Sequence, residues 1–439
     1  MAAQQNDGHI ETEFGTMPSD WALSSIGDLG KVVTGSTPST KHPEYYGGQY
    51  KFISPSDLNG SRYLRTSEKS LTREGLSVSR ILPSKSVLVS CIGYIGKTGL
   101  TADTESATNQ QINAIICSDK NDPEFVYHLV TSLAPFIAGR ARKTTVPIIN
   151  KGVFESLPIP LPPLPEQRRI AAVLNAIQDA IAAQEDVIAA ARQFKRSLMQ
   201  RLFTYGPGSE PAETKETEIG EIPAHWEVTE LAALCAGDGG AIQTGPFGSQ
   251  LHAADYVEHG IPTVMPQDMV EGRVSIPNIA RIADADHERL AKYHLRVGDV
   301  VYARRGDIGR RALVTDDEDG WLCGTGSLFI RPSSPAINST FLFHFLGKSE
   351  VIDYITNRAV GSTMLNLNTR ILSAVPIAFP TLTEQEFIVN ALSASDAKIA
   401  AEEDRKSALK ALFKSMLHQL MTGQIRLLSD EGLPLADIG

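Results

Sequence analysis

The chain repeats itself, and that limits its fold more than any other feature. Residues 12–21 read TEFGTMPSDW and residues 217–226 read TEIGEIPAHW, with Thr, Glu, Gly, Pro and Trp matched at a constant separation of 205 residues. Thr34-Gly35 then answers Thr244-Gly245, Pro55-x-Asp57 answers Pro266-x-Asp268, and SVLVSCIGYIGK (86–97) answers DVVYARRGDIGR (299–310). Leu157-Pro158-Ile159 answers Val375-Pro376-Ile377, and Glu166-Gln167 answers Glu384-Gln385, now 218 residues apart. One short match would be chance. An ordered series whose spacing grows through loop insertions is the mark of two diverged copies.

Each copy holds a mixed module of about 150 residues, the size of one domain. Short β-branched runs at Ser86–Cys91, Asn113–Cys117, Asp299–Ala303 and Ser327–Ile330 sit between Gly, Pro and Asn turns and read as strands. Helical segments are expected near Glu124–Arg140 and Ser339–Arg358, so the module is α+β. The boundaries are a tail (1–15), a module (16–161), a long helix (162–204), a Gly-, Pro- and charge-rich linker (205–216, YGPGSEPAETKE), a second module (217–380), a second helix (381–422) and a tail (423–439).

The helices show register. In the first, Ile170, Val173, Leu174, Ile177, Ala180, Ile181, Val187, Ile188, Ala191, Phe194, Leu198 and Leu202 fall on heptad positions a, d and e, interrupted by Gln184, Lys195 and Arg201. That stripe is wider than a two-stranded seam needs. Pro165 suits the first turn, as Glu166 suits the dipole there. About 40 residues at 1.5 Å each make a rod of roughly 60 Å. The second helix carries Ile388, Leu392, Ile399, Leu409, Leu412, Phe413, Met416 and Leu420, a polar middle at Ser395, Lys398, Glu402, Arg405 and Lys406, and a capping box at Thr383-x-x-Glu386. Two module-plus-helix copies related by a pseudo-two-fold must pack their helices antiparallel. The alternative is that each helix docks on its own module. The extra face at Val173, Ala180, Val187 and Phe194 is then where a further subunit, or the helix's own module, packs.

No apolar run approaches the roughly 20 residues that cross a bilayer, and residues 1–16 lack an apolar signal region, so cytoplasmic residence is expected. Cys91, Cys117, Cys235 and Cys323 are scattered without a CxxC pair, which argues against structural zinc and a disulfide framework. CIGYIGKTG at 91–99 imitates a phosphate-binding loop, but Cys91 stands where the first glycine belongs and the second copy reads RRGDIGRR there. A strand followed by a glycine turn is the better account. No methyltransferase loop or amine-holding Asn/Asp-Pro-Pro-aromatic motif, and no PD-then-ExK arrangement, occurs in the sequence. His42, His128, His252, His259 and His344 lack metal-ligand spacing. The chain reads as non-catalytic, with no metal and no cofactor of its own.

What remains is cations beside glycine turns: Lys97, the cluster Arg140, Arg142 and Lys143, and Arg304, Arg305, Arg310 and Arg311. Aromatic turns at Tyr45-Tyr46 and Phe247 lie in the same modules. A net charge of −10 disfavours a wholly nucleic-acid-binding surface yet leaves room for local basic stripes. Arginines can fork onto phosphates or guanine edges, and Thr34, Ser36, Asn109, Gln110 and Thr244 offer groups for base contacts. A solvated charged face is the bland alternative for any single arginine.

The whole pattern resembles the specificity subunits of type I restriction–modification systems. The resembling residues are Pro18-Ser-Asp-Trp21 and Pro223-Ala-His-Trp226, Thr34-Gly-Ser-Thr-Pro38 and Thr244-Gly-Pro-Phe-Gly-Ser249, Asn109-Gln-Gln-Ile112, Leu157-Pro-Ile-Pro160, Leu164-Pro-Glu-Gln-Arg168 and Leu420-Met-Thr-Gly-Gln-Ile-Arg426. The resemblance implies two target recognition domains, each reading half of a split double-stranded DNA sequence. It implies an antiparallel coiled coil that spaces them and docks two methyltransferase subunits, with translocating restriction subunits joining through the complex. S-adenosylmethionine, ATP and Mg2+ would then belong to partners. Diverged modules imply an asymmetric bipartite target. The second copy reads Thr325-Gly-Ser-Leu328 where the first reads Asn-Gln-Gln-Ile, which puts a shared role for Asn109–Gln111 in doubt. The rival readings are an orphan modification-only or decoy specificity subunit and, in another class, a non-DNA coiled-coil scaffold with two binding modules. Nucleotide hydrolysis at Lys97 is the catalytic rival.

Overall fold

The computed structural model describes residues 9–12, 15–142, 146–208, 210–359 and 366–429. Contacts divide the chain into two compact units, and the division runs through both long helices. One unit gathers Met1–Asp186 with Asp404–Gly439, the other Val187–Glu403.

The repeat persists in the order of the main sheet's first four strands, to which the first unit adds a fifth. In the first unit the hairpin His9–Thr12/Gly15–Pro18 precedes Ala22–Ser25, which pairs antiparallel with Pro158–Leu161. The main sheet has the order Gly30–Thr34, Ile112–Cys117, Val87–Ser90, Thr98–Thr101, Tyr63–Leu64. A smaller sheet sets Ser106–Thr108 parallel to Tyr46–Ile53, with Lys69–Leu71 on the other side. In the second unit the hairpin is Thr214–Thr217/Gly220–Pro223 and Glu227–Glu230 pairs with Pro376–Phe379. Its main sheet runs Ala241–Thr244, Ser327–Arg331, Val300–Ala303, Arg311–Leu313, and in its smaller sheet Leu322–Cys323 lies parallel to Ile261–Val264.

The central strands Val87–Ser90 and Val300–Ala303 are buried at every position because both faces are covered, and the two-residue period assigns each side chain to a face. Val87 and Val89 pack with Phe125, Val126 and Leu129 of the helix Pro123–Ser132, while Leu88 packs with Ile53, Leu58 and Leu82. Val300 and Tyr302 likewise join Phe341 and Leu342 of the helix Ser339–Phe345, while Val301 joins Val264, Leu295 and Phe329. Asp122 and Asn338 cap these two helices by accepting from the backbone N–H of Phe125 and Phe341. Asn121-Asp122-Pro123 is thus a helix start.

The long helices span Leu164–Tyr205 and Leu382–Met421, and they form the antiparallel pair. In the first unit Ile170 and Leu174 share a core with Leu420 and Met421, and Glu185 meets Lys406 at 3.3 Å and Lys410 at 3.7 Å. In the second, Leu202 and Phe203 share a core with Ile388 and Leu392, Arg192 meets Glu403 at 2.8 Å, and Lys195 pairs with Asp396. The polar middle of the C-terminal helix is therefore matched in charge by the central one. Among the described residues no helix is long and apolar enough to cross a membrane.

Four boundaries differ from expectation. The tail contains the strand His9–Thr12, and the linker ends in the strand from Thr214, because each builds the hairpin that leads into its module. The C-terminal helix begins at Leu382, so Thr383 lies within the first turn rather than at the cap position. Residues 423–429 are not a bare tail: Arg426 and Leu427 dock on the first unit.

Candidate nucleic-acid interface

Each module holds one glycine hairpin in the same backbone frame. Residues 91–97 join Val87–Ser90 to Thr98–Thr101, and residues 304–310 join Val300–Ala303 to Arg311–Leu313, both antiparallel. A strand-to-strand turn has no helix N-terminus to receive a phosphate, so the loop-like motif at Lys97 has another use. Cys91 N–H donates to Gln111 O at 2.7 Å and Arg304 N–H to Gly326 O at 2.9 Å. Ile149 N–H donates to Cys91 O at 3.0 Å and Leu367 N–H to Arg304 O at 2.9 Å. Gly93 and Gly306 both sit at φ +76°, a left-handed value that glycine adopts freely.

A second loop packs beside each hairpin. Gly35 N–H donates to Ile112 O at 3.0 Å and Ser36 N–H to Thr108 O at 2.9 Å; a Cβ on Gly35 would lie 2.0 Å from Asn109 O. Gly245 N–H donates to Ser327 O at 2.9 Å, and a Cβ there would lie 2.1 Å from Gly324 O. Only glycine permits this approach. Thr34 Oγ1 donates to Asn113 Oδ1 and Thr37 Oγ1 to Gln110 Oε1, each at 2.7 Å, and Asn109 Oδ1 accepts from Gln111 N–H at 3.0 Å. Thr325 Oγ1 donates to Pro246 O at 3.1 Å. Asn109–Gln111 and Thr325–Ser327 thus occupy one backbone position with different side chains. Tyr46 OH braces the first loop by donating to Pro38 O at 2.6 Å.

The predicted cations divide. Lys97 is exposed, its Nζ 5.5 Å from the centroid of the Tyr94 ring and 3.3 Å from Pro55 O. Arg140 lies over Phe136 at 4.7 Å, and exposed Arg142 bridges to the backbone of Ile148. Lys143 lies outside the described residues. Arg304 lies over exposed Phe247 at 5.1 Å, with its Nε donating to Asn366 Oδ1 at 3.1 Å; Thr244 ends the strand that leads to that ring. Arg305 is exposed, and Arg310 pairs with Asp307 at 3.0 Å. Arg311 does not join them. It starts a strand whose alternation turns it inward, over the Phe343 ring at 4.9 Å, with Nε donating to Phe343 O at 2.7 Å. Burial pushes its pKa below the usual arginine range.

The junction between module and helix is built from residues whose roles the sequence reading missed. Trp21 Nε1 donates to Glu166 Oε2 at 3.1 Å and Trp226 Nε1 to Glu384 Oε1 at 2.9 Å. Gln167 accepts from Asp122 N–H at 2.9 Å and donates to Asn121 Oδ1 and Pro162 O; Gln385 accepts from Asn338 N–H at 2.8 Å and donates to Ala336 O and Pro380 O. The duplicated Glu-Gln was the available signal. Ile170, Leu174, Ile188, Ile388, Leu392, Ile399 and Leu420 are buried, whereas Val173, Ile177, Ile181, Leu198, Leu409, Phe413 and Met416 are half-buried. Val187 and Phe194 are exposed, at 43% and 63%. Among the described residues no three His, Cys, Asp or Glu side chains are grouped as a metal site would require.

Known proteins carry the same organisation. The family model for the type I restriction modification DNA specificity domain matches residues 18–191 and 270–411. A type I restriction enzyme specificity subunit (MjaVIII) of Methanocaldococcus jannaschii is 25% identical over 424 residues, covering 93% of this chain and 94% of that one. The MjaIX specificity subunit of the same organism is 30% identical over 239 residues, 53% and 55% of the two chains. The crystal structure of the S subunit from M. genitalium superposes with a TM-score of 0.56 at 15% identity, covering 96% of this chain and 99% of that one, and so shares the fold. With the family model covering both copies of the repeat, the chain belongs to the type I restriction–modification DNA specificity family.

Proposed function

We propose that this chain is the sequence-reading, non-catalytic subunit of a type I restriction–modification complex, that its target is bipartite and asymmetric, and that its helices dock two methyltransferase subunits. The observation that carries this reading is the pair of equal backbone frames bearing different side chains. Thr34, Ser36, Lys97, Asn109, Gln110, Arg140 and Arg142 surround one frame; Thr244, Phe247, Arg304, Arg305 and Arg310 surround the other. Lysine and arginine contacts to phosphate give affinity without sequence choice, whereas amides, hydroxyls and rings at base edges give the choice. Two unlike sets of readers call for two unlike half-sites. S-adenosylmethionine, ATP and Mg2+ act on the partner subunits in this reading, and adenine is the methylated base.

The test is coexpression with the cognate methyltransferase subunit, followed by methylated-base sequencing of host DNA. The expected result is one split, non-palindromic motif with methylated adenine in each half. A palindromic motif would remove the asymmetric target, and no motif at all would remove the DNA-reading role and favour a scaffold.

A further inference from the structure

The two glycine hairpins are superimposable in role yet opposite in chemistry at their tips. Gly93, Tyr94, Ile95, Gly96 and Lys97 match Gly306, Asp307, Ile308, Gly309 and Arg310 in order. Each hairpin is rooted by its isoleucine: Ile95 packs against the first unit's core and Ile308 is buried in the second's. Gly93 N–H donates to Pro147 O at 2.9 Å, and Lys97 N–H to Ser90 Oγ at 2.9 Å. Ile92 bridges to Ile148 and Arg305 to Asn366, tying both loops to the same flanking segment. A loop held this firmly needs little ordering when it binds. Between the hairpin's two glycines and beside its cations, it presents one uncharged or acidic outward side chain: Tyr94, 80% exposed, or Asp307, with a side chain 67% exposed.

We propose that Tyr94 and Asp307 are specificity-determining residues, each reading a base in a different half-site; this rests on the DNA-reading role proposed above. Tyr94 offers an apolar ring with Lys97 beside it to hold phosphate, which suits contact with a thymine methyl or a base face. Asp307 accepts and cannot donate. Arg310 occupies one acceptor position at 3.0 Å and offsets the charge, which leaves acceptor sites for an exocyclic amino group, cytosine N4 first. A carbonyl-bearing base at that position would set oxygen against carboxylate, so the residue discriminates by repulsion as well as attraction.

The experiment uses the full chain coexpressed with its methyltransferase subunit, read by methylated-base sequencing. Tyr94→Ser is expected to relax one position in one half of the motif, and Asp307→Asn one position in the other half. Each should lower discrimination there by roughly ten- to a hundredfold. Tyr94→Phe keeps the ring and should return the parent motif. Copurification of the methyltransferase with each variant checks folding. Should a variant copurify yet methylate nothing, its binding to parent duplex and to duplexes changed at single positions decides, with loss of preference at one position expected. If both variants keep the parent motif and preference, or both alter the same half, the inference is wrong while the DNA-reading role stands. If the parent protein gives no motif, that role fails and the inference with it.

Discussion

The two junctions between module and long helix use one plan and differ at one corner. In both, a tryptophan donates to a glutamate in the helix's first turn, and the next residue, a glutamine, ties the helix to the start of a module helix. In the first unit, Asp20 and Glu166 both receive Arg426: its Nη1 and Nη2 reach Asp20 at 2.9 and 2.7 Å, its Nε reaches Glu166 at 2.8 Å, and its guanidinium lies 5.7 Å from the Trp21 ring. In the second unit, His225 stands where Asp20 does and contacts Glu384 itself at 3.0 Å. One junction needs a cation from the far end of the chain. The other carries its own partner. Diverged copies preserve the geometry of a junction while its charges are rebalanced locally, so what is common between copies is backbone and burial rather than residue identity.

The most severe way to break the shared plan is acid. His128 and His344 occupy matching places in the module helices, and both are buried at the junction. His128 faces Asn175 at 2.8 Å, the Phe413 ring and the Arg62 charge; His344 faces Asp396 at 4.0 Å and the charges of Lys195 and Arg311. Burial first, then the neighbouring cations, pulls them down to about 4 and about 3. A histidine depressed when folded stabilises fully above its unfolded value near 6.5 and loses that contribution as pH falls toward the folded value. Glu124, raised chiefly by burial, acts in the opposite direction and offsets part of that loss. Stability should drop by several kcal/mol between pH 7 and pH 4.5 in denaturant titrations. His344→Phe and His128→Phe should each flatten that slope by a similar share, since both folded values lie below pH 4.5.

The corner itself offers the next effect. Arg426→Ala leaves Glu166, a nearly fully buried carboxylate, with Trp21 as its remaining contact among these groups, a loss of about 3 kcal/mol. His225→Ala removes a half-exposed ring and should change stability by less than about 0.5 kcal/mol. Equal losses in thermal unfolding would mean that the two corners are not the alternatives described. The glutamines should behave alike: Gln167→Ala and Gln385→Ala each strip a half-buried N–H at the start of a module helix and two acceptors of their partner, costing about 2 kcal/mol apiece. A difference of more than about 1 kcal/mol between them would show that the shared geometry does not carry shared energy.

Much of this was legible in the sequence, and the failures have physical causes. Strand runs such as 86–91 and 299–303 fell within a residue or two of Val87–Ser90 and Val300–Ala303, because both faces are apolar and glycine turns bound them. Arg310 and Arg311 could not be separated, since the alternation that sends one outward and the other inward depends on where the strand begins after a glycine. Arg426 was visible as part of a motif but not as a partner of Glu166, 260 residues away, because nothing local encodes a contact of that range. Glu166 was read as a dipole partner; its fixed bonds to Trp21 and Arg426 add a task that only the fold reveals.

The long helices give the sharpest and smallest test. The apolar stripe continues through both units, yet Ile170 and Leu174 are covered within the first, whereas Val187 and Phe194 stand open in the second. A stripe that serves only as a spacer has no reason to keep a valine and a phenylalanine seven residues apart in solvent, since exposure of both forfeits burial worth about 2 kcal/mol each. In the proposed complex that face receives a methyltransferase subunit. Val187→Asp should therefore shift unfolding by no more than about 0.5 kcal/mol, because the site is open in the free chain. The same change should weaken copurification of the methyltransferase by tenfold or more, about 1.4 kcal/mol, because it buries a lone carboxylate in an apolar contact. Full assembly with Val187→Asp would mark the exposed face as a ruler's surface and place the dock on another part of the helical pair.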